Sequence, residues 1–262
     1  MKTGWILFRK EWLDFRRSYK AVWVPLVFLV LGISQPVSSY LLPDLLKSAG
    51  NLPEGSIMQI PVPQPMEVLA GTLSNFSSVG LLVLVLAAMS AVAGERTSGA
   101  AELVMAKPVS ALAYIVSKWL AYVLLSAGSL LLGYLGAWYY TDQLIGPVDA
   151  GRAFAAFGLY ALWVSVYLSL TLLLSARLRS AAASAAGALG AAALLGILSG
   201  SLPKWFGWSP GRLTAHVREL LLTGAPGGSF GLCLGVSIGL LLLMTAGAVW
   251  FFRRNSYTAA NG

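Results

Sequence analysis

Residues 68–93 read VLAGTLSNFSSVGLLVLVLAAMSAVA, a run without one charged side chain. As a helix it is long enough to cross the ~30 Å hydrocarbon layer of a bilayer. A surface helix of that length would carry a charged face, and this one has none. Working outward, similar runs lie near Ala21 to Leu42, Trp119 to Tyr140, Ala153 to Ala176, Ala181 to Leu202 and Phe230 to Phe252. Aromatic residues gather at their ends, among them Trp23, Tyr40, Trp119, Trp138, Tyr140, Trp205, Trp208 and Trp250, as expected of rings that settle at headgroup level.

The composition agrees. Of 262 residues 57% are apolar and 11% charged, against roughly 25% charged in a soluble domain. The expected fold is therefore an all-α integral membrane protein: one six-span domain over 21–262, preceded by a separate element at 1–20. No length remains for a soluble catalytic domain. Cys233 is the single cysteine, so neither a disulfide framework nor a cysteine metal site is available. The first twenty residues carry Glu11 and Asp14 among their cations, unlike a cleaved signal peptide.

Orientation follows from the short loops. With six spans both termini share a side, and that side holds thirteen of the eighteen Lys and Arg residues against four acids. The opposite side holds five basic and six acidic residues. Both ends are therefore expected in the cytoplasm. The net charge of +8 reads as topology, not as a nucleic-acid footprint.

Three segments outside the spans carry information. Residues 1–20 interleave Trp5, Ile6, Phe8, Trp12, Leu13 and Phe15 with Arg9, Lys10, Arg16, Arg17 and Lys20, the pattern of an amphipathic helix in the headgroup plane. Residues 94–110, Gly94-Glu95-Arg96 through Pro108-Val109-Ser110, predict a short helix ended by Pro108, with Ser110 as N-cap of the next. Leu213, Val217, Leu220 and Leu221 repeat at helical spacing, predicting a short helix lying on the opposite surface. The loop 43–67, with Pro53, Pro61, Pro63 and Pro65, predicts an extended or interfacial excursion.

On Gly94-Glu95-Arg96, Gly99, Glu102-Leu103, Pro108-Val109-Ser110 and Lys118, and on Phe8-Arg9-Lys10-Glu11, the chain resembles permeases of the type-2 ABC exporter family. In style it is close to the six-span permeases found beside nitrous-oxide-reductase maturation genes and in peptide-export or immunity operons. It departs from the family pattern at Ala100, Ala111 and Ser117. The resemblance implies that Glu95, Arg96, Gly99, Glu102, Leu103 and Pro108 belong to a coupling helix seated on a separate ABC ATPase subunit, present in two copies. Lys10 and Glu11 would belong to the entry helix near the gate. It also implies pairing with a second permease, as homodimer or heterodimer.

No lysine of the chain completes a phosphate-binding Gly-x-x-x-x-Gly-Lys-Ser/Thr. The chain itself is therefore expected to be no enzyme and to hold no cofactor, with ATP and Mg handled by the partner. Small residues offer packing faces: Ala183, Gly187 and Ala191 in the fifth span, and Gly231, Gly235 and Gly239 in the sixth. The resemblance favours the fifth-span stripe for the permease partner. No Asp, Glu, Lys, Arg or His falls deep in a predicted span, which argues against an ion-coupled carrier.

Two other readings stay open. Gly227-Gly228-Ser229-Phe230-Gly231 matches the nucleophile pattern Gly-x-Ser-x-Gly, although His216 is the only histidine. A non-transporting assembly or receptor protein is also compatible with six spans. The substrate is not legible, and an amphiphile or peptide leaving the cell is the expectation by analogy alone.

Overall fold

A computed structural model describes residues 2–49, 63–105 and 109–260. The described chain is helical, with no strand among the described residues. Six of its stretches are long and apolar enough to cross a membrane: Lys20–Pro43, Pro65–Thr97, Ala111–Leu144, Ala150–Arg177, Ala181–Ser201 and Phe230–Arg254.

The N-terminal helix α1 (Lys2–Arg17) turns into α2 (Lys20–Ala49) at Tyr19, whose φ of 57° is left-handed. Leu7, Glu11 and Phe15 recur every four residues and are buried, so this stripe packs on the bundle instead of on lipid. Trp5, Ile6, Trp12 and Leu13 stay exposed on the rest of the helix. The expectation of a helix resting on lipid thus describes one face only. Helix α2 runs on past the predicted loop start at Pro43 as far as Ala49, and Pro53 and Pro61 lie outside the described residues.

The second span is interrupted twice. A capping box of Gln64 and Glu67 starts α3 (Pro65–Asn75), a π-helical turn at Phe76–Gly80 follows, and α4 (Leu81–Ala88) leads to a break before α5 (Ala93–Thr97). Gly99, with φ of 75°, then separates α5 from α6 (Ala100–Met105). The single short helix expected within 94–110 is therefore, among the described residues, two short ones meeting at a left-handed glycine, a conformation that residues with a Cβ adopt at a cost of roughly 1–2 kcal/mol. Lys107 and Pro108 lie outside the described residues.

Ser110 caps α7 (Ala111–Leu144) by accepting from Ala113 N at 3.2 Å. That helix begins eight residues before the predicted span and brings Lys118 inside it. Asp149 caps α8 (Ala150–Arg177), and Ser180 caps α9 (Ala181–Ser201). Beyond the short α10 (Pro203–Phe206) and a 3-10 turn at Pro210–Arg212 comes α11 (Leu213–Thr223), ended by left-handed Gly224. Its Leu213, His216, Val217 and Leu221 are buried, and it packs against α8 and α3. One face of it is thus built into the bundle, while Arg218, Leu222 and Thr223 remain exposed. The last span is α12 (Phe230–Ala260).

Spans two, three and four form the centre, each half buried or more, whereas the windows in α2, α9 and α12 are 22%, 17% and 17% buried. The closest crossing joins α2 to α7, where a Cβ on Gly32 would strike Gly133 O and one on Gly133 would strike Phe28 O.

Candidate functional site

At the basic face the ends of five helices converge, and α5 is their junction. Ser175 of α8 holds the break before it: its hydroxyl donates to Met89 O (2.8 Å) and accepts from Val92 N (3.2 Å) and Ala93 N (3.0 Å). Backbone groups freed by an interrupted helix must find partners where water is scarce, and one hydroxyl supplies three. Arg96 adds a second tie by donating from Nη1 to Ala176 O at 2.9 Å.

Glu95 supplies the third. Its carboxylate accepts from Lys10 of α1, from Tyr114 of α7 and from Lys118 Nζ at 2.8 Å. Lys118 also donates to Glu11 Oε1 at 2.8 Å, and Lys10 reaches Glu11 (3.2 Å) and Asp14 (3.6 Å). Lys118 is 1% exposed and Glu11 4%. Burying such charges costs several kcal/mol per ion unless each is paired, and here two ammonium groups lie among three carboxylates. Burial by itself would lower the pKa of Lys10, but Glu11 and Glu95 outweigh it and push it up to about 12. One carboxylate oxygen each from Glu11, Asp14 and Glu95 lies within 4.8 Å of the others, a spacing that could hold a cation. Lys10 and Lys118 place two ammonium groups among these three carboxylates.

The residues expected to form the coupling helix therefore separate. Glu95 and Arg96 turn inward and join α5 to α1, α7 and α8. Glu102 and Leu103 of α6 are exposed, Leu103 at 76%, while Ala101, Val104 and Met105 pack back on the core. Gly99 is the corner between the two groups. Lys10 and Glu11 sit together with Glu95, a meeting that the order of the sequence does not announce. Tyr114, Ser175 and the pairing of Lys118 were not legible as site residues; the available signal was that Tyr114 and Lys118 stand one turn apart on α7.

The chain matches the model of the ABC-2 family transporter proteins over residues 5–255. The chain belongs to the ABC-2 transporter family. It is also 35% identical over 254 residues to the transmembrane protein YxlG of Bacillus subtilis (strain 168), an alignment covering 97% of this chain and 98% of that protein. As an ABC-2 family member it is a multi-pass membrane subunit, in bacteria of the plasma membrane, of a class that works with an ABC ATPase subunit.

The small-residue faces divide as well. Gly187 meets Leu174 of α8, but a Cβ on Gly231, Gly235 or Gly239 would touch nothing within 4 Å. Ala183 is exposed and Ala191 half-buried.

On the opposite face the Gly-x-Ser-x-Gly stretch meets the histidine. Ser229 Oγ lies 3.4 Å from His216 Nε2, His216 Nδ1 lies 3.3 Å from Glu219, and Arg212 lies 3.5 Å from that carboxylate. The stretch lacks the strand of a nucleophile elbow. The N–H of Phe230, where a hydrolase would hold its oxyanion, donates to Gly227 O at 3.0 Å. In this ABC-2 protein the contact ties α11 to the start of α12.

Proposed function

We propose that this chain is the permease of an ATP-driven exporter, in which α6 docks on a separate ATPase subunit and α5 carries its movement into the bundle. The observation that carries the reading is the division at Gly99. The exposed pair Glu102 and Leu103 stands on one side, and Glu95, bound to two other helices, on the other. A partner that displaces α6 pulls on a five-residue helix held by Ser175, Arg96 and Glu95, so the displacement reaches α1, α7 and α8. Two ATPase copies bind and hydrolyse ATP with Mg, and the basic face is cytoplasmic, in keeping with its excess of Lys and Arg. The moving load is an amphiphile or peptide. Gln35 and Asn75, joined at 2.8 Å, and Ser77, at 3.4 Å from the Tyr160 hydroxyl, offer it uncharged polar groups between the first, second and fourth spans.

The test is affinity purification of the tagged chain from native membranes, with partner identification and an ATPase assay. Glu102→Ala with Leu103→Ala is expected to lose the nucleotide-binding subunit. Glu95→Gln is expected to keep the subunit and lose transport-stimulated hydrolysis. A chain that returns alone and ATP-silent would overturn the proposal.

A further inference from the structure

Beside the ion network a cavity of about 420 Å³ opens where α1 turns into α2, within the ~300–1,000 Å³ range of sites that take small ligands. Its charged lining is Glu11, Asp14 and Glu95 with Arg17, Lys20 and Lys118, three carboxylates and three cations with no formal net charge. The two kinds of group are not equally engaged. Lys118, Glu11 and Glu95 satisfy one another in the floor. Lys20 donates to two neutral oxygens, Ala87 O at 2.7 Å and the Tyr122 hydroxyl at 3.2 Å. Neither Lys20 nor Arg17 forms a salt bridge among the described residues, and Asp14 has only the long contact to Lys10. The rim thus offers two cations and, one helical turn before Arg17, one carboxylate with open acceptor positions.

The setting is the membrane interface. On α1 the exposed Trp5, Ile6, Trp12 and Leu13 mark headgroup level. On α2 an exposed aliphatic row of Val22, Leu26 and Val30 begins two residues beyond Lys20, where acyl chains can lie. A rim with two cations free of salt bridges among the described residues and one carboxylate with open acceptor positions suits a zwitterion, whose phosphate can meet the cations and whose ammonium group can meet Asp14. We propose that this cavity binds one zwitterionic phospholipid with a primary amine, of the phosphatidylethanolamine type. Lys20 and Arg17 hold the phosphate and Asp14 accepts from the ammonium group. Charge-assisted bonds of this kind are the stronger ones, and a choline headgroup, which has no N–H, cannot make the bond to Asp14. The assignment stands whether or not α6 docks on an ATPase.

The experiment is native mass spectrometry of the full chain, delipidated in detergent and offered equimolar phosphatidylethanolamine, phosphatidylcholine and phosphatidylglycerol. One phosphatidylethanolamine retained per chain, at least fivefold over the other two, is expected. Asp14→Asn, at an exposed position where folding is not at risk, should bring the ethanolamine-to-choline ratio close to one. Lys20→Met should reduce retention of all three lipids at least fivefold. Equal retention of the three lipids by the unaltered chain, or preferential retention of phosphatidylglycerol, overturns the proposal. So does an unchanged ratio in Asp14→Asn.

Discussion

The ammonium group of Lys118 answers two carboxylates that arrive on different helices, Glu11 on α1 and Glu95 on α5. Removing it leaves a buried Glu11 and a half-buried Glu95 with one partially exposed lysine to serve them. Breaking a buried ion pair from one side costs roughly 3–5 kcal/mol, whereas replacing all its members by uncharged residues is often nearly neutral. Lys118→Met should therefore lower the unfolding midpoint in detergent by several degrees. The triple variant Glu11→Gln, Glu95→Gln, Lys118→Met should recover most of that loss, and an unaltered midpoint in the single variant would mean that the network carries no stability. Lys10 adds a pH signature. Its folded pKa, at about 12, lies above the ordinary 10.5, so its contribution is fully present below 10.5 and is lost as pH rises towards 12. Thermal unfolding of the unaltered chain should lose stability across that window more steeply than Lys10→Met, and parallel curves would count against the assignment.

At the scale of elements, hydropathy placed the spans because a bilayer imposes a length and a solvent on each one separately. It could not say which helix face meets which neighbour. Gly231, Gly235 and Gly239 have the spacing of a packing motif, yet they face open space, while Gly32 and Gly133, on different helices and without that spacing, let two backbones touch. Gly133→Ala should therefore be destabilising, since its Cβ would collide with a carbonyl oxygen that no rotamer change can move. Gly235→Ala should leave the monomer's unfolding midpoint unchanged within a degree or two. Circular dichroism melts of both variants in detergent check the pair, and equal shifts would refute the packing argument. The charged site was half legible for the same reason. Lys10, Glu11, Glu95 and Lys118 all belong to the stretches by which the chain resembles its family. Their meeting depends on the turn at Tyr19 and on the early start of α7, which brings Lys118 into a helix that hydropathy begins only at Trp119. The break before α5 left no trace in composition, because its keeper, Ser175, comes from a span more than eighty residues away.

Across the whole molecule, the burial of the spans is uneven in a way that bears on assembly. The central spans are enclosed by their neighbours, whereas α2, α9 and α12 turn most of their surface outward. Lipid can cover such faces, and so can a second permease, for which small residues allow close approach. On α9 Gly187 is exposed but a Cβ there would lie 3.0 Å from Leu174 of α8, while one on Gly190, Gly196 or Gly200 would meet nothing within 4 Å. If two copies pair through the side of this helix turned away from α8, Gly190 sits nearer the partner than Gly187. In a Cys233→Ala background, Gly190→Cys should form an oxidant-induced disulfide dimer in native membranes, because a disulfide needs Cα atoms within about 7 Å. Gly187→Cys should crosslink weakly. Gly128→Cys, an equally open position at mid-helix on the central α7, gives the level of random collision. Crosslinking at Gly190 no greater than at Gly128 would remove α9 as a homodimer seam and leave pairing with a different permease, or another face, to complete the translocation path.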